Sequence, residues 1–157
     1  MTLKLGLGVR RATRRASAVD AYTFPPSVYQ KLRFKHPDLG TESAALIAAA
    51  TRQWFRILAR HPRARLSMPS TAVADMAHEF LSHPRDYVAF CDTAFRHFVH
   101  PDPESVLTPH QAATGRPDRL LTTLRLARED ENCWPELPII FLVDHHVRLA
   151  GAHRYLA

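Results

Sequence analysis

His78 and Glu79 stand side by side near the middle of the chain, Asp75 precedes them on the same stretch, and His97 and His100 follow. Imidazole with carboxylate is the ligand chemistry of zinc and other first-row metals. His78, Glu79, His97 and His100, with Asp75 in support, are therefore a candidate divalent-metal set. The zinc-protease helix needs two histidines four positions apart, so that both rings reach one metal. The next histidine after His78 is His83, five positions on, which points about 140° away on a helix. Pro84 ends the helix there, so the protease motif is absent. The looser set requires two antiparallel helices that bring His78 level with His97 and His100. The competing reading has His78 hydrogen-bonded to a neighbouring helix and the other rings near solvent at helix C-terminal ends.

Asp144-His145-His146, with His153, forms a second imidazole group. On a strand, Asp144 and His146 would share one face, and a carboxylate that orients an imidazole is half of an acid–base dyad. No activated serine or phosphate loop accompanies it; the alternative is a polar turn that closes the last element. Cys91 and Cys133 lack the spacing of a redox or zinc pair, and two cysteines are too few for a disulfide scaffold, which suits a reduced, cytoplasmic setting. Cys91 falls on an apolar helix face and reads as a core thiol. Acidic neighbours should raise the pKa of Cys133.

Charge is unevenly distributed. Five of the chain's six net positive charges lie in residues 1–18, on Lys4, Arg10, Arg11, Arg14 and Arg15, with no acid among them. Such a segment reads as a basic arm over residues 1–20, either a solvated terminus or a contact for nucleic acid or an anionic lipid surface. Arg63 and Arg65, in the loop after the second helical stretch, would extend that footprint. Leu3, Leu5, Leu7 and Val9 alternate with other residues, so a short edge strand is a further option. No run approaches the ~20 apolar residues of a membrane span.

The elements that must hold these groups are mainly helical. At 157 residues the chain suits one domain with a real core, taken as residues 21–157. Pro25-Pro26 opens a helical stretch that stops near Lys35, because Pro37 disfavours helix at His36. Gly40-Thr41 caps a long helix carrying Ile47, Ala50, Trp54, Ile57 and Leu58 at helical spacing, stopped by Pro62. Ser70 caps a third, with Val73, Met76, Ala77, Phe80 and Leu81 as its apolar stripe. Pro84 opens a fourth, expected to run to Pro101 with Tyr87, Cys91, Ala94, Phe95 and Phe98 inward. Pro117-Asp118 starts a fifth, followed by an acidic loop over 129–136. The run Ile139–Val143 fits a buried strand or a helical turn. The expectation is a compact bundle of about five helices with a possible short strand or hairpin near the C-terminus.

One block carries a family resemblance: Met68-Pro69-Ser70, Val73, His78-Glu79-Phe80, Arg85-Asp86-Tyr87, Phe90-Cys91, Phe95, Phe98 and His100, with weaker likeness at Leu137-Pro138, Phe141 and Asp144. It resembles the bacterial members of the glycine-rich-domain-containing-protein-like family, which lack the glycine-rich tail. Against that pattern, Ala74 replaces an aspartate, Ala77 a tryptophan, Arg96 a glycine and Pro101 a histidine. The resemblance implies the helical fold and no particular reaction, and the departures imply a member that keeps the fold while losing the polar cluster. The leading functional expectation is a binding or accessory module with a protein partner. The alternatives are a metal-dependent or acid–base enzyme centred on His78 and His100, and nucleic-acid binding through the arm.

Overall fold

The computed structural model of the chain describes residues 2–99 and 117–149, with side chains at residue 11 and from residue 13 onward within those ranges. Helices α1 (Thr2–Ala21), α2 (Pro26–Lys35), α3 (Thr41–Arg60), α4 (Thr71–Leu81), α5 (Pro84–Ala94), α6 (Pro117–Glu131) and α7 (Ile139–His146) are connected by short loops, except between α5 and α6, and no strand occurs among the described residues. Proline takes the first helical position of α2, α5 and α6, where its missing N–H would have no partner.

The bundle is organised around α3, which touches α1, α4, α6 and α7. Ten of its twenty residues are buried, including Ala44, Ala48, Ala50 and Ala59 among the large Ile47, Trp54, Phe55 and Ile57. A helix buried on several sides needs small residues where neighbours approach and bulk where they diverge. On one side of α3 an aromatic cluster joins α3, α4, α5 and the α1–α2 loop. Phe80 is its hub, with ring centroids of Phe24, Phe90, Tyr87 and Tyr22 at 5.2, 5.3, 5.4 and 5.5 Å, mostly edge to face. On the other side Asp130 of α6, its side chain 3% exposed, accepts from Arg56 (2.8 Å) and Arg60 (2.9 Å) of α3. Arg56 also reaches Asp20 of α1 at 2.9 Å. Burial pulls the Arg56 pKa down, but its two carboxylate partners more than offset that and raise it.

Three expectations need correction. Residues 2–21 form a helix, not an edge strand, and Ala16 and Val19 bury that helix in the bundle, where it lies on α3 and α5. Leu3 and Leu7, like Leu5 and Val9, are four positions apart, a spacing that strand alternation and a helix both satisfy. The run after Pro138 is also helical, so the bundle has seven described helices where about five were expected. The Ile139 N–H donates to Glu131 Oε2 (2.8 Å) and the Ile140 N–H to buried Gln53 Oε1 (3.1 Å). Acceptors from two other helices thus start α7, and this local capping overrides the strand preference of a β-branched run.

The third correction concerns α5, which ends at Ala94 instead of continuing to Pro101. The N–H groups of Phe95 and Arg96 both donate to the Cys91 carbonyl (2.8 and 3.0 Å), and Arg96 takes a left-handed φ of 65°. Phe98 consequently lies past the helix, 43% exposed, with its ring edge-on to Tyr87 at 5.5 Å. Left-handed backbone costs a non-glycine residue about 1 kcal/mol, part of which glycine would give back through its looser unfolded chain. Arg96→Gly is therefore expected to raise the unfolding free energy by about 0.5 kcal/mol in urea denaturation; a loss of stability would show that the arginine side chain holds the turn.

Candidate functional site

The resembling motif is largely consumed by the fold. Asp144, on α7, is 2% exposed and sits at the N-terminus of α4. The Ser70 hydroxyl donates to its Oδ1 (2.6 Å), the Thr71 N–H to Oδ2 (2.7 Å) and the Ala72 N–H to Oδ1 (3.1 Å). Ser70 Oγ in turn accepts from the Val73 N–H at 3.0 Å, the cap expected from sequence. A carboxylate at this position meets both the free amides and the positive end of the helix dipole. The preceding segment is fixed by Thr123 of α6, whose hydroxyl accepts from the Ser67 N–H (3.1 Å) and lies 2.9 Å from the Ser67 carbonyl. Met68, Phe80, Tyr87, Phe90, Cys91 and Phe95 are all core.

The dyad of Asp144 and His146 does not form, because α7 turns residues two apart about 200° from each other. His146 is exposed and its Nδ1–H donates to the Leu142 carbonyl at 3.0 Å. His153 lies outside the described residues.

The metal candidates are likewise dispersed. His78 is exposed. Glu79 faces Lys31 at 3.8 Å. Asp75 is committed to the end of α2, accepting from Lys35 Nζ (2.7 Å) and His36 Nε2 (2.8 Å). His97 is exposed, with Nδ1 2.9 Å from the Phe95 carbonyl, and His100 lies outside the described residues. Among the described residues no three His, Cys, Asp or Glu side chains gather to hold a metal. Among the described histidines, the one with the fullest set of partners is one the metal reading passed over. His83 donates from Nδ1 to the Glu79 carbonyl (2.8 Å), which leaves Nε2 to pair with the Ser27 hydroxyl at 2.7 Å and tie α2 to the α4–α5 junction. The Cys133 thiol is raised, first by burial and then by Glu131.

The arginines behave differently. Arg11, Arg14 and Arg15 are three and four positions apart, so α1 gathers them on one face. Together with Thr93 and Arg96 from the end of α5 they line a cleft of about 290 Å³. Arg11, Arg14 and Arg96 are exposed and Arg15 is half-buried. None of the four has an acidic partner among the described residues. Arg10 belongs to the same helix, although its side chain is outside the described set, and Arg63 and Arg65 are exposed on the α3–α4 loop without lining this cleft. Thr93 and Arg96 were not among the sequence candidates. The available signal was the arginine at a position where the resembling pattern has glycine.

Two other depressions are less distinctive. One of about 580 Å³ runs along α5 over Pro84, Arg85, Val88, Ala89 and Asp92. Another, of about 270 Å³, lies between residues 35–39 and 147–149, and its Lys35 and His36 are already paired with Asp75. No described helix is long and apolar enough to cross a membrane. No curated protein and no solved structure matches the chain. A family model does match, over residues 14–157, from the second half of α1 to the last residue, and the chain belongs to the UCP032817-like family.

Proposed function

We propose that the chain is a binding module that engages nucleic acid through the arginine face of α1. The observation that carries this reading is that Arg11, Arg14, Arg15 and Arg96 line one cleft with no carboxylate paired to them among the described residues. Paired arginines elsewhere in the fold, such as Arg56 and Arg60, serve to join helices. These four join nothing among the described residues and leave their charge available to a polyanion. Phosphate contacts of this kind release counterions, so binding must weaken with salt.

Fluorescence anisotropy with a labelled single-stranded oligonucleotide tests the reading. With about three phosphates neutralised, log K should fall against log salt with a slope of roughly −2. The triple variant Arg11→Ala, Arg14→Ala, Arg15→Ala should flatten that slope towards zero and weaken binding at least tenfold at low salt. Binding that is absent, or indifferent to salt, removes the proposal. Binding to vesicles of anionic lipid but not to the oligonucleotide would also overturn it, in favour of a membrane surface.

A further inference from the structure

We infer that the cleft between α1 and the end of α5 recognises a terminal phosphate, a phosphomonoester group, in preference to the internal diesters of a nucleic-acid strand. The inference rests on the nucleic-acid reading above and narrows it to a ligand group. Four arginines line one cleft of about 290 Å³. An internal phosphodiester carries a single negative charge, and successive ones are strung out along the strand. An extended basic stripe would suit them better than a focus. A phosphomonoester carries close to two charges near neutral pH and exposes three oxygens, which suits a single cleft lined by several arginines. The Thr93 hydroxyl lines the same cleft but donates to the Ala89 carbonyl at 3.0 Å, so the hydrogen bonds to the phosphate come from the arginines. The space equals about ten water volumes, enough for a phosphate with its sugar attached.

Among the described residues, internal charge does not account for the cluster. The C-terminal end of α5 supplies roughly half a negative charge, against four positive ones. Asp92, the nearest carboxylate along α5, lines the neighbouring depression with Arg85 instead. The backbone points the same way. Arg96 occupies a left-handed turn at φ 65°, where glycine would be easier. An arginine at a strained position that lines one cleft with three others is the pattern expected where local strain serves binding.

The test compares one oligonucleotide with a 5′-phosphate, a 3′-phosphate or hydroxyl ends, with inorganic pyrophosphate as competitor, at fixed salt. At least one phosphorylated form should bind about tenfold tighter than the hydroxyl form, and millimolar pyrophosphate should abolish that difference. Arg96→Gly, which the backbone favours, should lose the preference, weakening the phosphorylated form about tenfold more than the hydroxyl form. Equal affinity for all three ends overturns the inference, and if the salt slope is still present the nucleic-acid reading stands alone. If pyrophosphate fails to compete and the phosphorylated form binds tighter in Arg96→Gly as well, the preference lies outside the cleft and the inference falls. If no oligonucleotide binds, but pyrophosphate saturably raises the Tm of the parent and not of Arg96→Gly, the phosphate site stands and the nucleic-acid reading falls. In that case vesicles containing phosphatidic acid, a lipid monoester, should bind more tightly than vesicles of phosphatidylglycerol, a diester, if the source is a headgroup.

Discussion

Asp144→Ala is expected to lower the unfolding free energy by about 3–4 kcal/mol. The substitution removes one carboxylate but breaks three hydrogen bonds, from the Ser70 hydroxyl and from the Thr71 and Ala72 amides. Ala72 is fully buried, so its N–H cannot recover a partner from water. A bond to a charged group contributes about 1.5–3 kcal/mol, and an orphaned buried donor costs about 1–3. The desolvation that the carboxylate itself no longer suffers offsets part of the sum. In a chain of this length the loss corresponds to a Tm lower by about 10 °C. Asp144→Asn retains one good acceptor and should fall between the two. Ser70→Ala alone should cost about 1 kcal/mol, as cap removal does elsewhere, and combining it with Asp144→Ala should cost less than the sum, because the two side chains share one bond. A loss below about 1 kcal/mol for Asp144→Ala in urea denaturation, with m unchanged, would mean that water replaces the carboxylate at the start of α4.

Phe80→Ala is expected to cost about 3–5 kcal/mol, the usual range for emptying a buried ring position. Phe80 is fully buried and faces rings from the α1–α2 loop, α3 and α5 at once. No one neighbour can move in without leaving the others, so the cavity should persist and the loss should sit high in that range. Edge-to-face geometry adds about 0.5–1.5 kcal/mol per pair beyond area, which leucine cannot replace. Phe80→Leu should therefore still lose about 1–2 kcal/mol. Phe34→Ala, at a position 90% exposed, is the matched control and should change stability by less than about 0.5 kcal/mol. Comparable losses at both positions would show that Phe80 is not the hub of the cluster.

The parts of the fold that could be read from the chain are those whose signals are local. Ser70 caps α4 three positions ahead of Val73, and Pro26 and Pro84 open α2 and α5, because caps and prolines act on their own neighbours. The start of α7 was not legible, since its amides depend on Gln53 and Glu131, which only the folded chain brings near. Asp144 was singled out for the wrong chemistry for the same reason: its partners are about seventy positions earlier, and only a nearby histidine was visible in the sequence. The site divides similarly. Arg11, Arg14 and Arg15 announced themselves as a charge cluster, but the helix that aligns them looked like an arm because the buried residues described on it, Ala16 and Val19, are small. Arg96 was hidden because its position depends on where α5 stops, and a backbone conformation leaves no periodic trace.

The carboxylate that seals α4 also sets an order of events during synthesis. Ser70 is made long before Asp144, and the amides it belongs with stay open until the residues of α7 have been added and folded back. Contacts this distant in sequence form late, after the loop between them has closed. A chain still being translated thus carries, exposed on α3 and α4, the surface that α7 will cover. Its vulnerability to proteases and to self-association should be greatest in that interval and should end when the last described helix docks.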